Sequence, residues 1–215
     1  MGDIDRTVRA LVAALDCSPC TPERKWPSPV LCLFDCILSL DKRKPGWVDA
    51  TLKRLQKPDL GYGSLRDTRN YASAFPEIQQ YFGLDLLDTG KRAALLLPLL
   101  DALIDAQMDF PGETEAERMK AWAEAARPSD WTFGPYRGLG IKGFQKFRVL
   151  LGANTVVSTK EIVAFVARAA GRDLEATEAV FLLERAAGRL RYSLPGIDEK
   201  GWNCPGVASS GTDDV

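Results

Sequence analysis

Val30 to Leu40, VLCLFDCILSL, is apolar almost all round and carries a single charge, Asp35. A helix without a polar face has to be surrounded on every side, so the rest of the chain must supply elements that pack about it. Those elements share its period. Ile4, Val8, Leu11, Val12 and Leu15 fall on one stripe, and Pro45 opens a helix carrying Trp47, Val48, Leu52 and Leu55 that Pro58 closes. Asp88 and Thr89 start an apolar helix that runs through about Met108 with a kink expected at Pro98, and Thr114 to Ala126 is Ala- and Glu-rich. No long stretch alternates as a strand does. The expected fold class is all-α.

The C-terminal third continues the pattern. Gly138-Leu139-Gly140-Ile141-Lys142-Gly143 reads as a glycine-rich turn, Phe144 to Leu151 as a short amphipathic helix, and Gly152-Ala153-Asn154 as its end. Ser158-Thr159-Lys160-Glu161 has the S-x-x-E form of a capping box before Ile162 to Ala170, which Gly171 terminates. Leu174 to Leu190 makes a further helix with Ala179, Leu182, Leu183, Ala186 and Leu190 inward, and residues 204–215 read as a flexible tail.

Among 215 residues there is no histidine, which excludes Ser-His-Asp and Cys-His catalysis, a His-ligated zinc and an imidazole base. Cys17 and Cys20 form a C-x-x-C, but Cys32, Cys36 and Cys204 supply no second knuckle. Buried or incidental thiols are expected rather than a metal site, and no cofactor is implied. Ala93 to Leu100 is too short to span a bilayer, which takes roughly 20 residues. No secretory signal precedes the first helix, so a cytoplasmic protein is expected, at the nucleoid if it works on DNA.

The net charge of -1 conceals a segregation. Tyr136 to Arg172 holds seven basic residues against Glu161 alone, and Lys42 to Arg69 holds eight against three acids. Leu84 to Asp130 holds ten acids and five bases. Two basic regions suit a polyanion, since neutralised phosphates and released counterions dominate nucleic-acid affinity. Solvated helix faces are the plainer reading of the same charges.

Glycines let backbone approach a phosphate closely, and the amides opening the next helix point at the anion. Gly138, Gly140 and Gly143, with Lys142, Lys146 and Arg148 after them, have the form of a helix-hairpin-helix element; an ordinary helix connection is the alternative. With the apolar helix ending Leu150-Leu151-Gly152-Ala153, the extended chain after it and the capped helix from Ile162, this region resembles the core of the helix-hairpin-helix base-excision DNA glycosylases. Val30 to Ser39 is similar to the buried helix that opens the family's helical lobe, and the resemblance extends over roughly residues 28 to 203.

The resemblance implies one two-lobed domain over residues 1–203, with a first lobe at about 28–130 and a second at about 131–203 joined by the N-terminal helix. It implies a monomer that grips double-stranded DNA through the hairpin, flips a damaged or modified base into a cleft between the lobes and hydrolyses its N-glycosidic bond. The family's aspartate aligns with Thr159, which has no charge to offer. Glu161, Asp35 and Asp41 are therefore the candidate catalytic acids, with Glu161 also the capping residue and Asp35 also a candidate ion-pair partner. Lys142 and Lys146 suit phosphate better than Schiff-base chemistry. Trp26, Trp47, Tyr62, Tyr71, Trp131 and Tyr136 are stacking candidates or core. Three functions stay open: a glycosylase, with a bulky phage-type modified base as one substrate; a non-catalytic lesion-recognition module; and a helical interaction domain without DNA.

Overall fold

The computed structural model describes residues 6–11, 26–40, 45–56, 63–74, 90–190 and 194. Every regular element among them is helical. The chain divides into two compact units, Glu23–Ala153 on one side and Met1–Pro22 with Asn154–Val215 on the other.

The first unit is built on α1 (Pro29–Ser39). Its start is set locally: the Ser28 hydroxyl accepts the Val30 N–H at 3.2 Å, and Pro29 occupies the first turn, where a missing donor costs nothing. From Pro29 to Leu38 every residue is buried, the surrounded helix that its composition demands. Around it lie α2 (Pro45–Leu55), α3 (Leu65–Ala74), α4 (Gly90–Ala106) and α5 (Glu115–Ala125). Two 3-10 helices, Pro128–Thr132 and Gly134–Leu139, then lead into α6 (Gly140–Leu150). α1 packs on α2 and α6, and α3 on α4. Leu33, Ile37, Leu52, Leu96, Leu100, Phe144 and Phe147 fill the core between them, each contributing about 1.5–3 kcal/mol by leaving water. α4 runs on through Pro98. The carbonyl that this proline leaves without a partner belongs to Ala94, on the exposed side, where water can satisfy it.

In the second unit α7 (Lys160–Ala170) packs on α8 (Ala176–Leu190), and residues 6–11, also helical, add Val8 and Leu11 to a core of Ile162, Val166, Leu183 and Ala187. Gly171 ends α7 in the left-handed conformation, φ 68° and ψ 23°, that glycine adopts without strain. The segment before α7 is held by side chains: the Thr155 hydroxyl donates to Glu184 at 2.5 Å, and Asn154 Oδ1 accepts the Leu194 N–H at 2.7 Å.

The division falls after Ala153 rather than near residue 130. Residues 131–153 sit with the central helix because Phe144 and Phe147 of α6 are buried in its core. No helix among the described residues is long and apolar enough to cross a membrane.

Candidate nucleic-acid interface

The glycine-rich stretch is not a loop. Gly138 and Leu139 finish a 3-10 helix, and Gly140 to Gly143 are the first turn of α6. Each glycine has its own reason. A Cβ on Gly138 would meet Leu95 Cδ2 at 2.0 Å, and one on Gly143 would press on Leu40 and Leu139 at 3.0 and 3.2 Å. Nothing lies within 4 Å of a Cβ on Gly140, but its φ of 64° and ψ of 170° belong to a region that only glycine enters freely. The Gly140 N–H donates to the Arg137 carbonyl. Lys142, in the first turn of α6, and Arg137, just before it, are exposed.

The other two cations expected here point elsewhere. Arg148 is only 2% exposed; its Nε donates to the Ala123 carbonyl at 2.9 Å and its Nη1 to Gln145 Oε1 at 3.0 Å, tying α6 to the end of α5. A guanidinium so placed cannot reach a phosphate, which corrects its assignment as a DNA contact. Lys146 lies one turn beyond Lys142 with its side chain 30% exposed, and its Nζ is held 2.7 Å from Asp35 Oδ1 and donates to Ser39 Oγ at 2.5 Å.

Asp35 is the polar centre of this unit. At 1% exposure it accepts from the Trp26 indole N–H at 2.7 Å and the Ser39 hydroxyl at 3.1 Å as well as from Lys146. A buried carboxylate costs several kcal/mol unless its charge and lone pairs are met, and three donors meet them. Of its two readings, ion-pair partner or catalytic acid, the geometry carries the first. Serine, lysine and aspartate within hydrogen-bond reach have the outward form of a nucleophile, a base and an orienting acid. Lys146, however, is the counter-charge of the buried Asp35 carboxylate, 2.7 Å away, so the arrangement reads as an ion pair.

In the second unit Thr159, not Ser158, caps α7: its hydroxyl accepts the Ile162 N–H at 3.3 Å. The cap thereby falls one residue later than read at Ser158, and the capping box with Glu161 does not form, because the third position after Thr159 is Ile162. Glu161 falls in the first turn, exposed, and the Ser158 hydroxyl is buried without a hydrogen-bond partner. Thr159 and Glu161 belong to one unit and Asp35 to the other. Asp41, Tyr62, Cys17, Cys20 and Cys204 lie outside the described residues.

Cys32 and Cys36 are free, buried thiols that donate to the Leu150 and Gly143 carbonyls at 3.3 and 3.1 Å. Burial pushes the Cys36 thiol up to about 12, with nearby Lys146 opposing the rise. Among the described residues no group of three or more Cys, Asp or Glu is placed to hold a metal.

Of the stacking candidates, Trp26 is buried on Asp35, and Trp47, Trp131 and Tyr136 pack against the core. Tyr136 lies 5.6 Å from Trp122 and 5.5 Å from Phe144, ring to ring, and its hydroxyl is raised to about 12, chiefly by burial and then by Asp130. Two further aromatics reach solvent among the described residues: Phe181, 43% exposed, and Phe133, 66% exposed. Its placement between Thr132 and Gly134 gives no periodic signal by which sequence could have found it. No family model, no curated protein and no solved structure matches this chain.

Proposed function

We propose that this chain is a DNA-binding protein of the helix-hairpin-helix glycosylase type that recognises duplex DNA without hydrolysing the base-sugar bond. The observation that carries the non-hydrolytic reading is the cap of α7. At the position where the resembled family holds its aspartate, the Thr159 hydroxyl oxygen accepts the Ile162 N–H, and a neutral capping oxygen cannot stabilise an oxocarbenium-like sugar. Asp35 offers no substitute, being sealed under Trp26, Ser39 and Lys146. Binding is supported by Arg137 and Lys142, exposed around the start of α6.

The test pairs two measurements on the full chain: affinity for duplexes across a salt series, and incubation with duplexes carrying a panel of lesions and phage-type modified bases, followed by alkali. Salt-sensitive binding with no strand breaks is expected. Breaks on any substrate would restore the glycosylase reading, for which the exposed Glu161 in the first turn of α7 is the acid in view; Glu161→Gln would then abolish them. Absence of binding at low salt would leave the helical interaction domain.

A further inference from the structure

We propose that α8 is a contact surface for a second copy of this chain, two α8 helices packing antiparallel about a two-fold axis. The inference is independent of the DNA-binding reading above and departs from the monomer that the resemblance implies. Three large apolar side chains are exposed among the described residues: Met108, Phe133 and Phe181. Met108 belongs to the 3-10 helix Gln107–Asp109, and Phe133 lies between the two 3-10 helices that follow α5. Phe181, 43% exposed, alone stands on an α-helix. At about 100° per residue α8 has two arcs. Ala179, Leu183 and Ala186 are buried on one. Thr177, Phe181, Glu184, Arg185 and Gly188 share the other, half-buried or exposed.

Gly188 is the second feature of that arc. Within a helix glycine is about 1 kcal/mol less favourable than alanine. The φ of Gly188 lies outside the left-handed region and nothing is within 4 Å of a Cβ built there, so neither its backbone nor a neighbour in the chain requires glycine. On an exposed helix face a glycine leaves a shallow socket. Phe181, seven residues earlier, is a knob on the same face, about 10 Å away along the axis.

A face carrying both halves of a contact is self-complementary, and a two-fold dimer uses that contact twice. An antiparallel pair whose axis passes between residues 184 and 185 sets each Phe181 on Gly188 of the other copy, where the missing side chain lets the helices approach to the short end of the usual roughly 8–10 Å. The same register brings Glu184 of one copy beside Arg185 of the other, opposite charges at the axis. A parallel pair would set Arg185 on Arg185 and Phe181 on Phe181, so charge selects the antiparallel arrangement. Two turns of one helix from each copy bury less than the roughly 1,200 Å² of a standard interface, so the dimer is weak, with a Kd of roughly 10–100 µM.

Sedimentation velocity on the full chain from roughly 5 to 500 µM, either side of that Kd, is expected to show monomer passing to dimer. Phe181→Ala and Gly188→Leu are each expected to weaken dimerisation about 10- to 30-fold, the loss of a central aromatic contact. Both positions are exposed and leucine is a better helix former than glycine, so thermal unfolding is expected to show both variants folded. An equimolar mixture of the two variants is expected to recover dimer. There the intact Phe181 of one variant meets the intact Gly188 of the other, and the enlarged side chain at 188 faces the shortened one at 181. A wild type that stays monomeric throughout overturns the proposal, as does a dimer indifferent to both substitutions. Variants that weaken the dimer alone and fail to recover it when mixed overturn the antiparallel register on which the proposal rests.

Discussion

Lys146 Nζ lies 2.7 Å from Asp35 Oδ1, so the pair bolts α6 to the buried middle of α1. Asp35 is 1% exposed and the lysine side chain 30%, which leaves the carboxylate dependent on its donors and the ammonium with a path to water.

Removing one partner of a buried ion pair costs about 3–5 kcal/mol, because the other charge is left desolvated. Lys146→Met strands Asp35 and is expected to cost about 3 kcal/mol, the lower end because the Trp26 and Ser39 donors remain. Asp35→Asn is expected to cost less, since the freed Lys146 can turn to solvent. The double variant Lys146→Met with Asp35→Asn is expected to recover part of the loss, since the neutral amide oxygen can still accept the Trp26 N–H. Urea midpoints for the four proteins measure this, and a Lys146→Met variant as stable as wild type would remove the pair from the fold's supports.

The pair also shows how far sequence could reach. Val30 to Leu40 declares a surrounded helix by composition, and the helical period locates most of the other elements. The partner of Asp35 lies 111 positions away, among several basic residues whose sequence environments look alike. Lys146 turns inward to the carboxylate, Arg148 inward to the Ala123 carbonyl, and Lys142 outward; only the rotation of α6 against α1 decides which. The capping motifs divide in the same way. Thr114-Glu115-Ala116-Glu117 forms a full capping box on α5, the Glu117 carboxylate held low by the Thr114 and Glu113 N–H groups. Ser158 to Glu161 has the same form, but a second hydroxyl at Thr159 competes for the cap and wins.

Gly140 and Gly171 both have positive φ, at 64° and 68°, but ψ separates them, 170° against 23°. Asparagine tolerates the left-handed region occupied by Gly171 and not the one occupied by Gly140. Gly171→Asn is therefore expected to cost a few tenths of a kcal/mol, and Gly140→Asn and Gly140→Ala about 1–3 kcal/mol each. Equal losses for the two asparagine variants in thermal or urea unfolding would refute the distinction.

Cys36 and Tyr136 set an alkaline limit. Both are raised to about 12 in the folded protein, from ordinary values of 9 and 10. Between those values and 12 the folded state holds protons that the unfolded chain releases, so stability falls as pH rises, by up to about 1.4 kcal/mol per pH unit for each group. Stability should be level with respect to these two groups below pH 9 and drop steeply above it. Cys36→Ala is expected to flatten the part between 9 and 10, where the thiol titrates ahead of the phenol. Urea unfolding across pH 8 to 11 reads the slope, and a Cys36→Ala profile parallel to wild type would show that the thiol is not its source.

Three neighbouring substitutions separate a hydroxyl that caps from one that does not. Thr159 accepts the Ile162 N–H, so Thr159→Ala leaves that donor short and is expected to cost about 1 kcal/mol. Thr159→Asp keeps an acceptor and adds a negative charge at the positive end of α7, so it should equal wild type or exceed it by a few tenths of a kcal/mol. Ser158 carries a buried hydroxyl with no hydrogen-bond partner. Ser158→Ala removes that unmet group at the loss of one oxygen's volume, so it should be neutral or stabilising by up to about 1 kcal/mol. Thermal unfolding of the three variants decides the order. If Ser158→Ala proved the most damaging, the cap would belong to Ser158, and Glu161 would return to its place in a capping box.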